Sequence, residues 1–324
     1  MSVAENLARA VTVLRDGGLV AFPTETVYGL GCDAESPVAL RRLFAVKGRP
    51  ADHPVIVHVV DAAAIEPYVA GIPPAARALI DTFWPGPLTV VLRRSERVPD
   101  EVTGGRDTVG LRVPDQPIAL ALLRAFGGVV AAPSANRFGS VSPTIANDVR
   151  ADLNGDVDLI LDGGPCRVGV ESTIVECTGS APVILRLGGV AQGAIERALG
   201  TPIELSNAGE IAAPGTLPGH YAPAARVVLV DRGVVGARAS EILASGQRVG
   251  LLMLAPVLAD LPGGLTVLDA PGDVDEFARV LYGRLRDADR AGVDVVLAVL
   301  PPPEGIGAAV ADRLTRAASG RTAP

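Results

Sequence analysis

Lysine is almost absent from this chain: of its 29 basic residues only Lys47 is a lysine, and every other is an arginine. Aromatic residues make up 3% of the sequence, so Ala, Val, Leu and Gly must fill the interior. The three cysteines, Cys32, Cys166 and Cys177, are odd in number and lack Cys-x-x-Cys spacing. That excludes a disulfide framework or a zinc knuckle and points to buried free thiols. No apolar run approaches the ~20 residues of a spanning helix. The first residues carry Glu5, Arg9 and Arg15 at helical spacing and lack the layout of a signal peptide. The expectation is a soluble, cytoplasmic protein without a membrane partner. No G-x-x-x-x-G-K-[ST] phosphate loop is present, and no G-x-G-x-x-G follows a strand into a helix. A nucleotide would therefore be held by another architecture. A net charge of -7 argues against a broad nucleic-acid grip but is compatible with a local basic pocket.

What is present is enough for two globular domains: 324 residues, 48% of them apolar and 20% charged. The spacing predicts helices over 3–16, from Ser36-Pro37 through Phe44, 74–83, 116–126, 144–152 and 191–199. Apolar strands are read at 19–22, 55–60, 88–92, 108–113, 129–132, 157–161, 173–176 and 183–187. Strict alternation is missing, so this part reads as a twisted mixed sheet with flanking helices, residues 1–203. Residues 204–224 are rich in Gly and Pro and read as a linker. Beyond them, strands at 226–230, 248–254, 265–268 and 293–299 alternate with helices near 235–245, 274–290 and 304–317. Residues 225–324 thus read as a smaller parallel α/β domain of Rossmann-like pattern.

Four polar segments sit where a strand or helix has just ended, the place where binding residues concentrate. They are Pro23 to Gly31, the turn Lys47-Gly48-Arg49-Pro50, Ala132 to Asn136 and Glu171 to Ile174. Thr24 and Thr26 can equally cap turns, and Asn136 can serve a left-handed position. Arg112 and Arg186 read as lying in the middle of apolar strands, where a guanidinium must pair or meet an anion. His58 stands in an apolar strand, and a lone histidine there is as compatible with structure as with function. Lys47, Arg49, Arg112 and Arg186 supply positive charge, while Ser134, Asn136, Ser142 and Ser172 supply neutral donors. No placed carboxylate, Cys–His or Ser–His–Asp set is evident. The inventory suits binding of polyanions and stabilisation of charge.

These segments resemble the YrdC/Sua5 family of threonylcarbamoyl-AMP synthases. The resemblance rests on Pro23–Gly31, Lys47–Pro50, His53–His58, Trp84–Thr89, Gly110–Pro114, Pro133–Asn136, Ser142–Thr144 and Glu171–Ile174, in order along the chain. Pro214-Gly215-Thr216 and His220-Tyr221-Ala222-Pro223 resemble the linker of the two-domain Sua5 branch, with Gly219 where that branch often has a basic or hydroxyl residue. The resemblance implies a nucleotidyltransferase that makes L-threonylcarbamoyladenylate and pyrophosphate from L-threonine, bicarbonate or CO2, and ATP. Mg²⁺ is expected with ATP, with no protein metal site. The product is expected to pass to a tRNA threonylcarbamoyltransferase complex for t6A modification; direct binding of tRNA is left open. By the same resemblance, Thr26, His58, Arg112, the Ala132 backbone and Ser172 hold threonine. Arg49, His53, Thr108, Ser134, Ser142, Arg186 and Tyr221 hold ATP, with Tyr221 as part of a lid. Lys47, Arg49 and Asn136 act on the phosphates. Two alternatives stand beside this: another carbamoyl-adenylate-forming transferase, and an RNA-binding or ribosome-associated factor.

Overall fold

A computed structural model describes residues 3–153, 155–206 and 221–320. Among these residues the chain divides into two compact units. The first comprises 3–138, 143–167 and 171–206; the second comprises 139–142, 168–170 and 221–320. Most of the expected linker, Gly219 and His220 included, lies outside the described residues.

The first unit is built on a ten-stranded mixed sheet. Its strands are β1 (Val20–Phe22), β2 (Gly29–Asp33), β3 (Ile56–His58), β4 (Leu88–Arg93) and β5 (Thr108–Arg112), followed by β6 (Val130–Ala131), β7 (Leu159–Ile160), β8 (Thr173–Glu176), β9 (Val183–Arg186) and β10 (Glu204–Leu205). Their spatial order is β10-β9-β8-β4-β5-β3-β6-β2-β1-β7. Helices α1 (Val3–Arg15), α2 (Pro37–Lys47), α3 (Pro74–Phe83), α4 (Asp100–Thr103), α5 (Pro117–Phe126), α6 (Ala146–Leu153) and α7 (Gln192–Leu199) flank it. Strands β3 and β5 are parallel and in register, His58 opposite Arg112, while β4 runs antiparallel to β5. Alternation along β3 and β5 sends Val57 and Leu111 into the main apolar cluster. Ile56, His58, Gly110 and Arg112 therefore share the other face. There Ile56 packs with Ile174 and Leu185.

Two strands contradict the expectation from sequence: Glu204–Leu205, expected to begin the linker, instead pairs parallel with β9 as β10. Pro23 to Gly31 was read as a polar loop, yet Gly29–Asp33 forms β2 and pairs antiparallel with β1. Its glycines look like a turn, but Gly31 is there for clearance: a Cβ would lie 2.7 Å from the Phe22 ring and 2.8 Å from Val130. A second difference concerns position. Arg112 and Arg186 are the last residues of β5 and β9, and His58 is the last of β3. Pro114 helps stop β5, since it has no N–H for a ladder. The strands are shorter than their apolar runs, so each of these three side chains stands at a strand end.

Helix α2 follows its sequence signals closely. Ser36 caps it by accepting from Ala39 N–H at 3.3 Å, and Pro37 occupies the first turn. Gly48 ends it at φ 64°, the left-handed conformation that glycine adopts without strain. That cap turns the chain sharply after Lys47 and leaves Arg49 outside the helix.

The second unit contains a four-stranded sheet, β11 (Arg226–Leu229), β12 (Val249–Leu252), β13 (Leu265–Asp269) and β14 (Val295–Ala298), in the order β11-β14-β12-β13. All its pairs are parallel, as the alternation implied. Helices α8 (Val235–Ala244) and α9 (Val274–Arg290) connect its strands, and α10 (Gly307–Ala318) follows β14. Helix α8 packs Val235, Ala239 and Ile242 onto Val249, Leu251, Val295 and Leu297. Among the described residues no helix is long and apolar enough to cross a membrane.

Candidate active site

The lone lysine is an internal clasp. Its Nζ is buried and donates to the backbone oxygens of Ser134 and Asn136, each at 2.5 Å. Burial and the neighbouring Arg49 charge pull its pKa well below the ordinary lysine value. The two carbonyl dipoles act the other way and hold the ammonium. The clasped loop is fixed on its other side as well: Leu30 N–H donates to Pro133 O at 2.8 Å, and Ala135 N–H to Tyr28 O at 2.8 Å. Phe138 N–H returns to Lys47 O at 2.8 Å. The Arg49 guanidinium donates to Pro54 O at 2.8 Å and lies 5.9 Å from the centre of the Phe138 ring. His53 packs against the same ring at 5.6 Å, with its pKa lowered by burial and by Arg49. Lys47, Arg49, His53, Ser134 and Asn136 are therefore one local assembly.

A second assembly gathers around Arg112. Its Nε donates to Gly86 O at 3.1 Å, and its Nη2 donates to Thr26 Oγ1 at 3.0 Å. The same Nη2 is 2.8 Å from Glu25 Oε1, with both side chains almost fully enclosed. Glu25 is the residue the sequence reading missed. A carboxylate between two threonines looks like a turn element, and its cation lies 87 positions further along the chain. Neither Glu25 oxygen makes an aligned hydrogen bond among the described residues; charge holds the pair. His58, beside Arg112 in the sheet register, has its pKa driven down to about 3 by burial and by Arg112. It is neutral at physiological pH, and its Nδ1 has no partner among the described residues. Ala132 follows β6 and donates its N–H to Ile56 O at 2.9 Å.

Ser172 and Arg186 form a third group. Arg186 donates to Ser172 O from Nε (3.2 Å) and Nη2 (2.8 Å), and from Nη2 to Ser172 Oγ at 3.2 Å. Ser172 Oγ also lies 2.7 Å from Thr89 Oγ1. Thr108 opens β5, at the opposite end from Arg112. Two further residues fall in the second unit. Ser142 is buried in the 139–142 segment, where Gly139 O accepts from Ala222 N–H at 3.2 Å. Tyr221 adopts φ 62°, stacks on Tyr282 at 5.7 Å and lies 4.9 Å from the Arg313 guanidinium.

Buried cations and oriented hydroxyls on one sheet face, with a separate cationic loop clasped beside the sheet, define an α/β anion-binding enzyme that works by holding charge. Comparison with known proteins narrows the class. Residues 12–188 match the Sua5/YciO/YrdC family profile, described as "Telomere recombination"; residues 190–319 match the profile described as "Threonylcarbamoyl-AMP synthase, C-terminal domain". The threonylcarbamoyl-AMP synthase of Pyrococcus abyssi is 43% identical over 323 residues, covering 96% of this chain and 94% of that protein. That of Bacillus subtilis is 39% identical over 329 residues, covering 97% and 93%. The crystal structure of P. abyssi Sua5 complexed with L-threonine superposes with a TM-score of 0.91 at 40% identity, covering 99% of this chain and 96% of that one. The chain belongs to the two-domain Sua5 family of threonylcarbamoyl-AMP synthases, which are nucleotidyltransferases.

Proposed function

We propose that this chain condenses L-threonine with bicarbonate or CO2 and ATP to give L-threonylcarbamoyladenylate and pyrophosphate, with one water released when the carbon enters as bicarbonate. The observation that carries the reading is the Arg112 assembly, a buried guanidinium already oriented by three protein groups. Its Nε and Nη2 edge is engaged by Gly86, Thr26 and Glu25. A substrate carboxylate is then met by Nη1, a narrower contact than the bidentate fork expected from sequence. Thr26, neutral His58, the Ala132 backbone and Ser172 complete the threonine site.

The nucleotide falls to the Lys47 assembly and to Arg186, with Thr108, Ser142 and Tyr221 as further contacts. Arg49, Ser134 and Asn136 face the triphosphate, and Lys47 serves them by fixing the loop that carries the last two. Carbamate formation demands a neutral amine and CO2 held close, which is a positioning task. Attack of the carbamate oxygen on the α-phosphate places charge on phosphoryl oxygens, and preset donors stabilise it without a covalent enzyme intermediate.

Mg²⁺ supplies charge neutralisation to the triphosphate when bound. Among the described residues no cluster of three His, Cys, Asp or Glu side chains can hold a metal. The side chains of the Lys47 assembly are cationic or neutral, so they do not fit a direct ligand set, and the ion is carried by phosphate and water. The product goes to a tRNA threonylcarbamoyltransferase for t6A formation.

The test is pyrophosphate release by the purified chain with ATP and Mg²⁺. Release is expected only when threonine and bicarbonate are both present; release that ignores threonine overturns the reading.

A further inference from the structure

The hydroxyl protons of the Thr24-Glu25-Thr26 triplet can be assigned from their partners. Thr24 Oγ1 lies 2.6 Å from Val27 O, a group that only accepts, so the single Thr24 proton is spent there. The 2.8 Å bond between Thr24 Oγ1 and Thr26 Oγ1 must then be donated by Thr26. The backbone N–H groups of Thr26 (3.2 Å) and Val27 (3.3 Å) share the second lone pair of Thr24, which locks its oxygen in place. Thr26 Oγ1 meanwhile accepts from Arg112 Nη2 at 3.0 Å. With its proton and one lone pair committed, Thr26 has one acceptor site left. No donor among the described residues fills it.

We propose that Thr24 is a positioning residue that keeps Thr26 a pure acceptor, and that the free lone pair of Thr26 receives an N–H of the substrate's α-amine. This rests on the assignment of Arg112 to the substrate carboxylate. The amine and carboxylate of an α-amino acid share one carbon. An acceptor hydrogen-bonded to the guanidinium that holds the carboxylate therefore lies nearest the amine. An acceptor with no freedom to donate favours an amine that points its N–H at Thr26. The nitrogen lone pair, which forms the N–C bond with CO2, is then directed elsewhere. Glu25 supports the arrangement through its charge, 2.8 Å from Arg112 Nη2, which holds the guanidinium where that nitrogen donates to Thr26.

The experiment compares Thr24→Val, which removes the hydroxyl at nearly constant shape, with Thr24→Ser, which keeps it. Pyrophosphate release gives KM for threonine and for ATP, with Arg112→Lys as reference. Thr24→Val is expected to raise KM for threonine about tenfold, on the scale of one misdirected hydrogen bond, and to leave KM for ATP unchanged. Thr24→Ser is expected to restore both. If the valine variant does not fold, Thr24→Ala, which opens space instead, carries the same expectation. The proposal is overturned if hydroxyl removal leaves KM for threonine unchanged, if serine fails to rescue, or if both KM values rise together. Should Arg112→Lys also leave KM for threonine unchanged, the carboxylate assignment fails; a rise there alone refutes only the role of Thr24.

Discussion

The Lys47 ammonium and the Asn136 backbone oxygen lie 2.5 Å apart, across 89 positions of sequence. A second carbonyl, that of Ser134, takes the same ammonium at the same distance. Two acceptors converging on one small charge suit three rotatable donors on a compact head, and a planar fork cannot reproduce that. Lysine survives at this position because its niche is closed and its partners are backbone.

Lys47→Arg is therefore expected to overpack the niche and displace the Ser134–Asn136 loop. Pyrophosphate release should fall at least about tenfold, and stability should drop by about 1–3 kcal/mol. Lys47→Met keeps much of the volume but strands both carbonyls, at about 1–3 kcal/mol each. Turnover assays and urea denaturation check both; wild-type behaviour in the arginine variant contradicts the clasp.

Arg186 is expected to link the two substrates, because it is proposed for the nucleotide yet holds Ser172, proposed for threonine, through three hydrogen bonds. Arg186→Lys cannot make the paired contacts. KM for threonine and for ATP should both rise, each by roughly tenfold, the scale of a lost charged hydrogen bond. A change in only one of them uncouples the two groups.

His58 sets a pH dependence of stability. Its folded pKa of about 3 lies below the ordinary 6.5. Between these values the unfolded chain binds a proton that the native chain does not, so stability rises with pH. The contribution is complete above pH 6.5. It is lost as pH falls toward 3, on the order of a few kcal/mol over the whole window. His58→Gln should flatten the loss of denaturation midpoint between about pH 6.5 and 5; parallel curves for variant and wild type assign the acid sensitivity elsewhere.

Gly31→Ala tests the hairpin. A methyl group 2.7 Å from the Phe22 ring forces the two strands or the ring apart. The expected cost is about 1–3 kcal/mol in thermal or chemical denaturation. An unchanged melting temperature means the ring has room that its contacts deny.

Local chemistry carried most of the fold into view. Helix α2 was readable because Ser36, Pro37 and Gly48 are punctuation with a mechanism, and the C-terminal unit because its strands and helices alternate cleanly. Strand β2 was not readable, since Gly29 and Gly31 signal a turn unless one knows which ring presses on them. In the site, the cations were legible as residues that have no business among apolar neighbours. Their partners were not. Glu25 looks like part of a turn until Arg112 is folded against it, and the direction of the Thr24 and Thr26 hydroxyls depends on Val27 O and Arg112 Nη2 together. Pairings across 80 or more positions leave no periodic trace in a sequence; they follow from topology.

The enclosed Lys47 side chain, 2% exposed, has a last consequence that concerns the product. A threonylcarbamoyl adenylate is a mixed anhydride, an acylating agent for any free amine it meets. Guanidinium groups stay protonated at neutral pH and are poor nucleophiles. With its only lysine buried against two carbonyls and the rest of its cations arginine, the chain offers no exposed lysine amine to the reagent it makes. The cationic side chains left exposed are guanidinium groups, which such a reagent acylates poorly.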